Sequence, residues 1–399
     1  MKRSFLTVCL QISFILFFSM LLFFSALPPF PSGKVLAYEG EIQSKAALLM
    51  EYDTGEILFA VNAHEKLYPA SLTKIMTVLL ALEALERGEI SLDDQVPVTN
   101  YAESMGGSTI FLSAGDVVDM ESLLIGMVVG SANDAAVAVA EYIAGSEEGF
   151  VKLMNKRADE LGMKNTNFVN VNGLHHDDHY TTAFDVALMS RELMSYPIYT
   201  RWSTIWMDEN FLEGKIKSEK VYLSNTNRLI HYYQGCDGIK TGYTNKAMHC
   251  ISASAKREDT RFIAVVMNSP SSDIRYEEAR DLLNYGFANY YSLELADSRK
   301  IISKLPVEKG IVQEIDVLTS DNLSLLIKKG EEPQYRTEIE LPSRLKAPLS
   351  IKKSVGKIKV IQGNTVLKEV DLEIAQDVPR ASLTSLFQRY LRIWLKFGR

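Results

Sequence analysis

Pro69-Ala-Ser-Leu-Thr-Lys-Ile-Met-Thr-Val-Leu-Leu-Ala-Leu-Glu-Ala-Leu-Glu-Arg-Gly88 reads as a helix that carries its own start and stop. Ser71 through Leu85 contains no Gly or Pro and has a dense apolar face, with Pro69 just upstream and Gly88 just after the last turn. Before it, Ala46–Met50 and Ile57–Asn62 flank the turn residues Tyr52-Asp53-Thr54-Gly55, which predicts a β-hairpin. After it, helices are expected at Met120–Val129, Asp134–Ala144 and Gly149–Leu161, strands at Ile239–Tyr243, Cys250–Ala255 and Phe262–Met267, and a last helix from Tyr276 to Tyr291. Strands on both sides of a helical block predict an α+β fold whose N- and C-terminal strands share one antiparallel sheet.

Beyond about Leu293 the pattern changes. Short alternating runs at Val312–Leu318, Leu323–Ile327, Tyr335–Glu340, Gly356–Ile361 and Thr365–Leu372 are punctuated by Gly330, Pro333, Pro342, Pro348 and Gly363-Asn364. That spacing predicts a small all-β domain over residues 292–378. In the tail, residues 380–399, the apolar residues Leu383, Leu386, Phe387, Tyr390, Leu391 and Trp394 recur at three and four, while Arg389, Arg392, Lys396 and Arg399 take other positions. No acidic residue follows Asp377. A basic amphipathic helix of this kind suits the interface of an anionic membrane; the alternative is a helix docked on the protein's own surface.

At the other end, Lys2 and Arg3 precede a largely apolar run from Phe5 to Leu27, and a Pro-rich break leads to Val35-Leu36-Ala37. This is the form of a cleavable export signal over residues 1–37, with the mature chain starting at Tyr38. Left uncleaved, the run approaches the ~20 residues that cross a bilayer. Either way the body is expected outside the cytoplasm, peripheral to the outer face of the cytoplasmic membrane.

Composition is consistent with this. The chain has 399 residues, 47% hydrophobic and 23% charged, enough for two domains and a large core. A formal net charge of -7 argues against nucleic acid as a partner. Of the three cysteines, Cys9 lies in the signal, and Cys236 and Cys250 would suggest a disulfide in an exported protein. A hairpin turning near Asn245-Lys246, however, sets Cys236 opposite Ser254 or Ala255 and Cys250 opposite Lys240 or Thr241, so two free thiols are expected.

Three short sequences carry candidate chemistry: Ser71-Leu72-Thr73-Lys74, Ser131-Ala132-Asn133 and Lys240-Thr241-Gly242. Ser71 and Lys74, three apart at a helix start, rise from one face within hydrogen-bonding reach. They form a nucleophile and an amine that becomes a base once burial and a nearby cation lower its pKa; Lys240 is the candidate cation. Free N–H groups at the helix N-terminus favour a developing oxyanion beside Ser71. Ser131 can pass a proton from Lys74 to a leaving amine, with Asn133 positioning Lys74 and substrate. Lys240 and Thr241, on a strand edging the site, can hold a carboxylate while Gly242 lets a substrate backbone lie close. Separately each is an ordinary cap, loop or strand residue; together, in this order, they describe a serine acyltransferase. His175-His176-Asp177-Asp178-His179 contains metal-ligand types, but adjacent ligands converge poorly on one ion. No metal and no cofactor is expected, and the segment reads as a surface loop near the site anchored by His179-Tyr180.

The trio resembles that of the penicillin-binding proteins and serine β-lactamases. Its surroundings narrow the likeness: Tyr68-Pro-Ala-Ser-Leu-Thr-Lys-Ile-Met-Thr77, Met105-Gly-Gly-Ser108, Gly130-Ser-Ala-Asn-Asp-Ala-Ala136, Met163-Lys-Asn-Thr166, His179-Tyr-Thr-Thr-Ala183 and Gly238-Ile-Lys-Thr-Gly-Tyr-Thr244 are similar to the low-molecular-weight D-alanyl-D-alanine carboxypeptidases, the peptidase S11 family. The similarity runs from about Ile42 to the C-terminus, and within the family it leans to enzymes of Gram-positive spore formers, sporulation-linked and vegetative. It implies a β-lactamase/transpeptidase-like catalytic domain over residues 38–291. It further implies that Ser71 attacks the penultimate D-alanine carbonyl of the peptidoglycan pentapeptide, Lys74 takes its proton, Ser131 relays a proton to the departing D-alanine and Asn133 orients Lys74 and substrate. Lys240 and Thr241, helped by Arg275, would hold the terminal carboxylate, and the N–H groups of Ser71 and Tyr243 would form the oxyanion hole. β-Lactam antibiotics would be trapped at Ser71, and a monomer is expected. Two rivals are weaker. A class A β-lactamase would need a deacylating Glu-x-x-Leu-Asn between Asn133 and Lys240, which is absent, and a silent wall-binding protein would lack Ser71 or Lys74. Ala132 stands where many relatives have Gly.

Overall fold

Strands β1 (Ala46–Glu51) and β2 (Ile57–Val61) join three late strands, β3 (Cys236–Thr244), β4 (Met248–Arg257) and β5 (Thr260–Ser269), in one antiparallel sheet of order β2-β1-β5-β4-β3. The computed structural model describes residues 40–397 apart from 219 and 352, so the export signal and the start at Tyr38 lie outside the described residues. Ala46 pairs with Met267 and Glu51 with Phe262, closing one antiparallel sheet between the N- and C-terminal strands of the α+β region as predicted. The central strands are covered on both faces, which is why they read as unbroken apolar runs. Leu48, Met50, Ile263, Val265 and Met267 pack under the helical block; Ala47, Leu49, Phe262, Ala264 and Val266 face the opposite layer.

The block contains α1 (Lys74–Glu86), α2 (Met120–Val129), α3 (Asn133–Ala144), α4 (Glu147–Glu160) and α5 (Ala183–Leu193), while α6 (Ser272–Asn289) covers the other face. Most boundaries lie within a few residues of the sequence reading, and two of the shifts bear on the site. Helix α1 begins at Lys74 because Ala70–Thr73 forms a tighter 3-10 turn, entered through Ala70 at φ +47°, outside regular helical space. Helix α6 begins earlier than Tyr276 because Ser271 caps it by accepting from Ile274 N, which puts Arg275 on its first turn. Helix α5 is not among the predicted elements, although Thr182, accepting from Asp185 N, marks its start. The hairpin between β3 and β4 turns over Asn245-Lys246-Ala247, later than predicted, so Cys250 faces Gly242 rather than Lys240 or Thr241; Cys236 faces Ala255. Both thiols are buried and free.

The all-β unit follows. Six strands run in the order Arg336–Glu340, Gly356–Gln362, Thr365–Ile374, Glu314–Thr319, Ile301–Glu308 and Leu345–Lys346, over a core that includes Val317, Val360 and Leu372. Tyr290–Ala296 and Leu323–Lys328 pair separately. The two units are bonded at their junction: Ser292 Oγ donates to the fully buried Glu51 carboxylate (2.9 Å) and Lys368 Nζ to Asp53 O (3.1 Å). Helix α7 (Leu383–Phe397) closes the chain with Leu383 and Phe387 exposed, and Arg389 donates to the carbonyls of Gly310 and Ile311. Among the described residues no helix is long and apolar enough to cross a membrane.

Candidate active site

Ser71 sits on the 3-10 turn and Lys74, fully buried, opens α1. Lys74 Nζ lies 3.1 Å from Ser71 Oγ, 2.6 Å from Asn133 Oδ1 and 2.7 Å from the Asn172 carbonyl. The last two oxygens can only accept. A neutral amine that donates its two hydrogens to them has its lone pair left for the Ser71 hydroxyl. Burial, and after it the charge of Lys240, hold Lys74 well below the ordinary lysine range, with Asp134 opposing.

Asn133 is itself fixed, its Nδ2 donating to Gly106 O (2.6 Å) and its N to Ser108 O (2.7 Å). A Cβ on Gly107, which adopts φ +83°, would stand 2.9 Å from that Nδ2, so the loop needs glycine to close on the amide. Ser131, buried and in the left-handed region at φ +65°, lines the same cleft.

On β3, Lys240 is buried beside Thr226 Oγ1 (3.4 Å) and Thr241 O (3.3 Å). Burial, then Arg275, lower its pKa to about 7. Thr241 Oγ1 donates to Thr226 O (3.4 Å). Gly242 also makes a contact within the chain that its sequence does not suggest. A Cβ there would lie 2.9 Å from Ser71 N and 3.1 Å from Pro69 O, so glycine lets the turn that carries Ser71 close on the strand. Arg275 also differs in detail: Nη1 donates to Gly242 O (3.1 Å) and Cys250 O (3.2 Å), while Nη2 donates to Tyr276 OH (3.2 Å). Its guanidinium is spent largely on backbone, because α6 starts early enough to bring it against the strand ends.

Ser71, Ser131, Asn133, Thr241, Tyr243 and Arg275 line one cleft of about 440 Å³, together with Gly242, and Lys74 and Lys240 lie directly behind it. Sequence reasoning missed Thr226 and Asn172. Asn172 contributes a backbone carbonyl, which no side-chain motif reports; its only signal was the Asn172-Gly173 turn pair. In the His175–His179 segment, His175 Nε2 meets Asp177 (3.3 Å) and His179 turns inward, buried, accepting from Val169 N at Nδ1 (3.0 Å).

The family model described as D-alanyl-D-alanine carboxypeptidase matches residues 33–271, and that of the penicillin-binding protein 5 C-terminal domain matches residues 290–380. The D-alanyl-D-alanine carboxypeptidase DacF of Bacillus subtilis is 40% identical over 89% of this chain and 91% of its own. Penicillin-binding protein 5 from Haemophilus influenzae superposes with a TM-score of 0.68 at 31% identity, covering 86% of this chain and 99% of that one. Penicillin-binding protein D2 from Listeria monocytogenes, solved in an ampicillin-bound form, gives 0.52 at 30% identity over 62% of this chain and 98% of that one.

Proposed function

The chain belongs to the D-alanyl-D-alanine carboxypeptidase family of serine peptidases, and from that premise we propose how its residues divide the work. It is a serine-type carboxypeptidase that removes the terminal D-alanine from peptidoglycan stem peptides. Lys74 accepts the Ser71 proton; Ser71 Oγ bonds to the penultimate carbonyl carbon, and the oxyanion forms against Ser71 N–H and Tyr243 N–H. The C–N bond then breaks, Ser131 passing a proton to the departing amine, and water hydrolyses the acyl-enzyme. Lys240 and Thr241 take the terminal carboxylate, and Asn133 orients Lys74. The single observation that supports this most is the set of three contacts on Lys74 Nζ, which leaves a neutral amine one free direction, towards Ser71. A β-lactam offers a strained amide and a carboxylate to the same groups.

The test is labelled penicillin on the soluble form, beside Ser71→Ala. The native chain should take up one equivalent and Ser71→Ala none. Label persisting in Ser71→Ala would refute the assignment.

The protein is exported and rests on the outer face of the cytoplasmic membrane through α7. Support comes from Leu383, Phe387 and Leu391, spaced four apart and all exposed, in a tail without acidic residues. It acts as a monomer, a reading supported by a cleft whose chemical groups all come from one chain.

A further inference from the structure

In a trans peptide the carbonyl of one residue and the N–H of the next point in opposite directions. Each N–H assigned above to the oxyanion hole therefore has a carbonyl behind it, and both carbonyls are held by side chains. Gly242 O, paired with Tyr243 N–H, accepts from Arg275 Nη1 (3.1 Å). Ala70 O, paired with Ser71 N–H, accepts from Thr73 Oγ1 (2.8 Å). Thr73 Oγ1 also lies 2.8 Å from His179 Nε2. Val169 N donates to His179 Nδ1, so the ring hydrogen sits on Nε2 and is donated to Thr73. The hydroxyl thus has one orientation, accepting from His179 and donating to Ala70 O.

A threonine bonding the carbonyl three residues back is common in helical turns. Three further observations separate this one. Ala70 holds φ +47°, a conformation an alanine keeps only when its surroundings impose it. Its carbonyl faces Gly173 so closely that a Cβ there would lie 1.8 Å from the oxygen. The donor behind Thr73 comes from 106 residues away, and both side chains are buried. Ser71 N itself lies against Gly242, 2.9 Å from where a Cβ on that glycine would stand. Burial lowers the His179 pKa to about 4, which keeps the ring neutral and the relay intact at working pH.

We infer that Thr73 and His179 are positioning residues for acylation: they set the Ala70–Ser71 peptide plane, and with it the direction of Ser71 N–H, as Arg275 sets the Gly242–Tyr243 plane. This rests on the catalytic reading above. The experiment compares Thr73→Val and His179→Leu with the conservative Thr73→Ser and His179→Gln. Three quantities are read per folded molecule: the rate constant of acylation by penicillin, the affinity for a D-alanyl boronic acid whose tetrahedral oxygen occupies the hole, and, in the Ser71→Ala background, the affinity for a D-alanyl-D-alanine peptide. Removing a hole donor outright costs about 10²–10³, so misaiming one should cost about tenfold in acylation and a similar factor in boronate affinity, with peptide affinity within about twofold. The conservative pair should stay within about threefold of the native chain. Native acylation and boronate affinity in Thr73→Val and His179→Leu would overturn the inference, as would a loss shared equally by peptide binding. If Thr73→Val does not fold, the two His179 variants decide by the same criteria. A native chain that took no penicillin on Ser71 would instead fail the catalytic reading itself.

Discussion

Lys74 Nζ and Asn133 Oδ1 meet at 2.6 Å, and the same Asn133 amide is anchored on its other side by Gly106 O. The amide therefore cannot turn to offer its nitrogen, and it presents a neutral acceptor to an amine whose charge burial already disfavours. The loop from the second motif thus holds Lys74 and does more than line the cleft.

Replacing that neutral acceptor with a carboxylate favours the ammonium form and raises the Lys74 pKa. Below its pKa Lys74 cannot accept the Ser71 proton, so in Asn133→Asp the acid limb of acylation moves to higher pH. A shift of one unit lowers the rate at a pH on that limb about tenfold. The pH profile of penicillin acylation checks this; an unmoved limb would count against Lys74 as the base.

Lys240, at about 7, is partly neutral near pH 7.5 because burial and Arg275 disfavour its charge. A substrate carboxylate favours the charged form, so its arrival pulls the pKa up and a proton in. Binding of a D-alanyl-D-alanine peptide to Ser71→Ala at pH 7.5 should show proton uptake, read as a calorimetric enthalpy that varies with the buffer's ionisation enthalpy. Proton release or no exchange would contradict the carboxylate role.

Two glycines should fail differently. In Gly173→Ala the new Cβ meets backbone at 1.8 Å from a residue at φ +86°, so the loop has to move and both melting temperature and activity should fall. In Gly242→Ala the Cβ meets Ser71 N at 2.9 Å and pushes the strand off the nucleophile turn. Acylation should drop by about 10² with a small change in melting temperature. Thermal unfolding beside penicillin acylation separates the two.

The tail can be removed without breaking the backbone pairing of the β unit only if the cut falls after Ala381; the Arg389 bonds to Gly310 O and Ile311 O leave with α7. Arg380 pairs with Gly310, and Ala381 N donates to Lys309 O. A chain ending at Ser382 should fold, acylate at the native rate and stay in the supernatant with anionic vesicles that sediment the chain carrying α7. Continued sedimentation of the shortened chain would argue against α7 as the membrane contact.

Much was legible in short stretches of chain. The helix after Ser71, the runs that became β1 and β5, the alternation of the β unit and the choice of Ser71, Lys74, Ser131, Asn133 and Lys240 as candidates all rest on spacing and local chemistry, which a linear reading contains. Helix α5 had a local signal, the Thr182 cap followed by Ala183, Phe184 and the run Val186-Ala187-Leu188-Met189, that the sequence reading passed over, whereas the early start of α6 rests on the Ser271 cap alone, with mostly polar residues behind it.

Fold class, family and the candidate chemical groups could be read along the chain, because hydrophobic period, turn residues and motif order are local properties. What Gly242 packs against, what Arg275 holds, and that His179 stands behind Thr73 emerge only on folding. Those relationships join residues far apart in the chain, and they exist only once the nucleophile turn, the Asn172-Gly173 loop and the edge strand β3 are packed against one another.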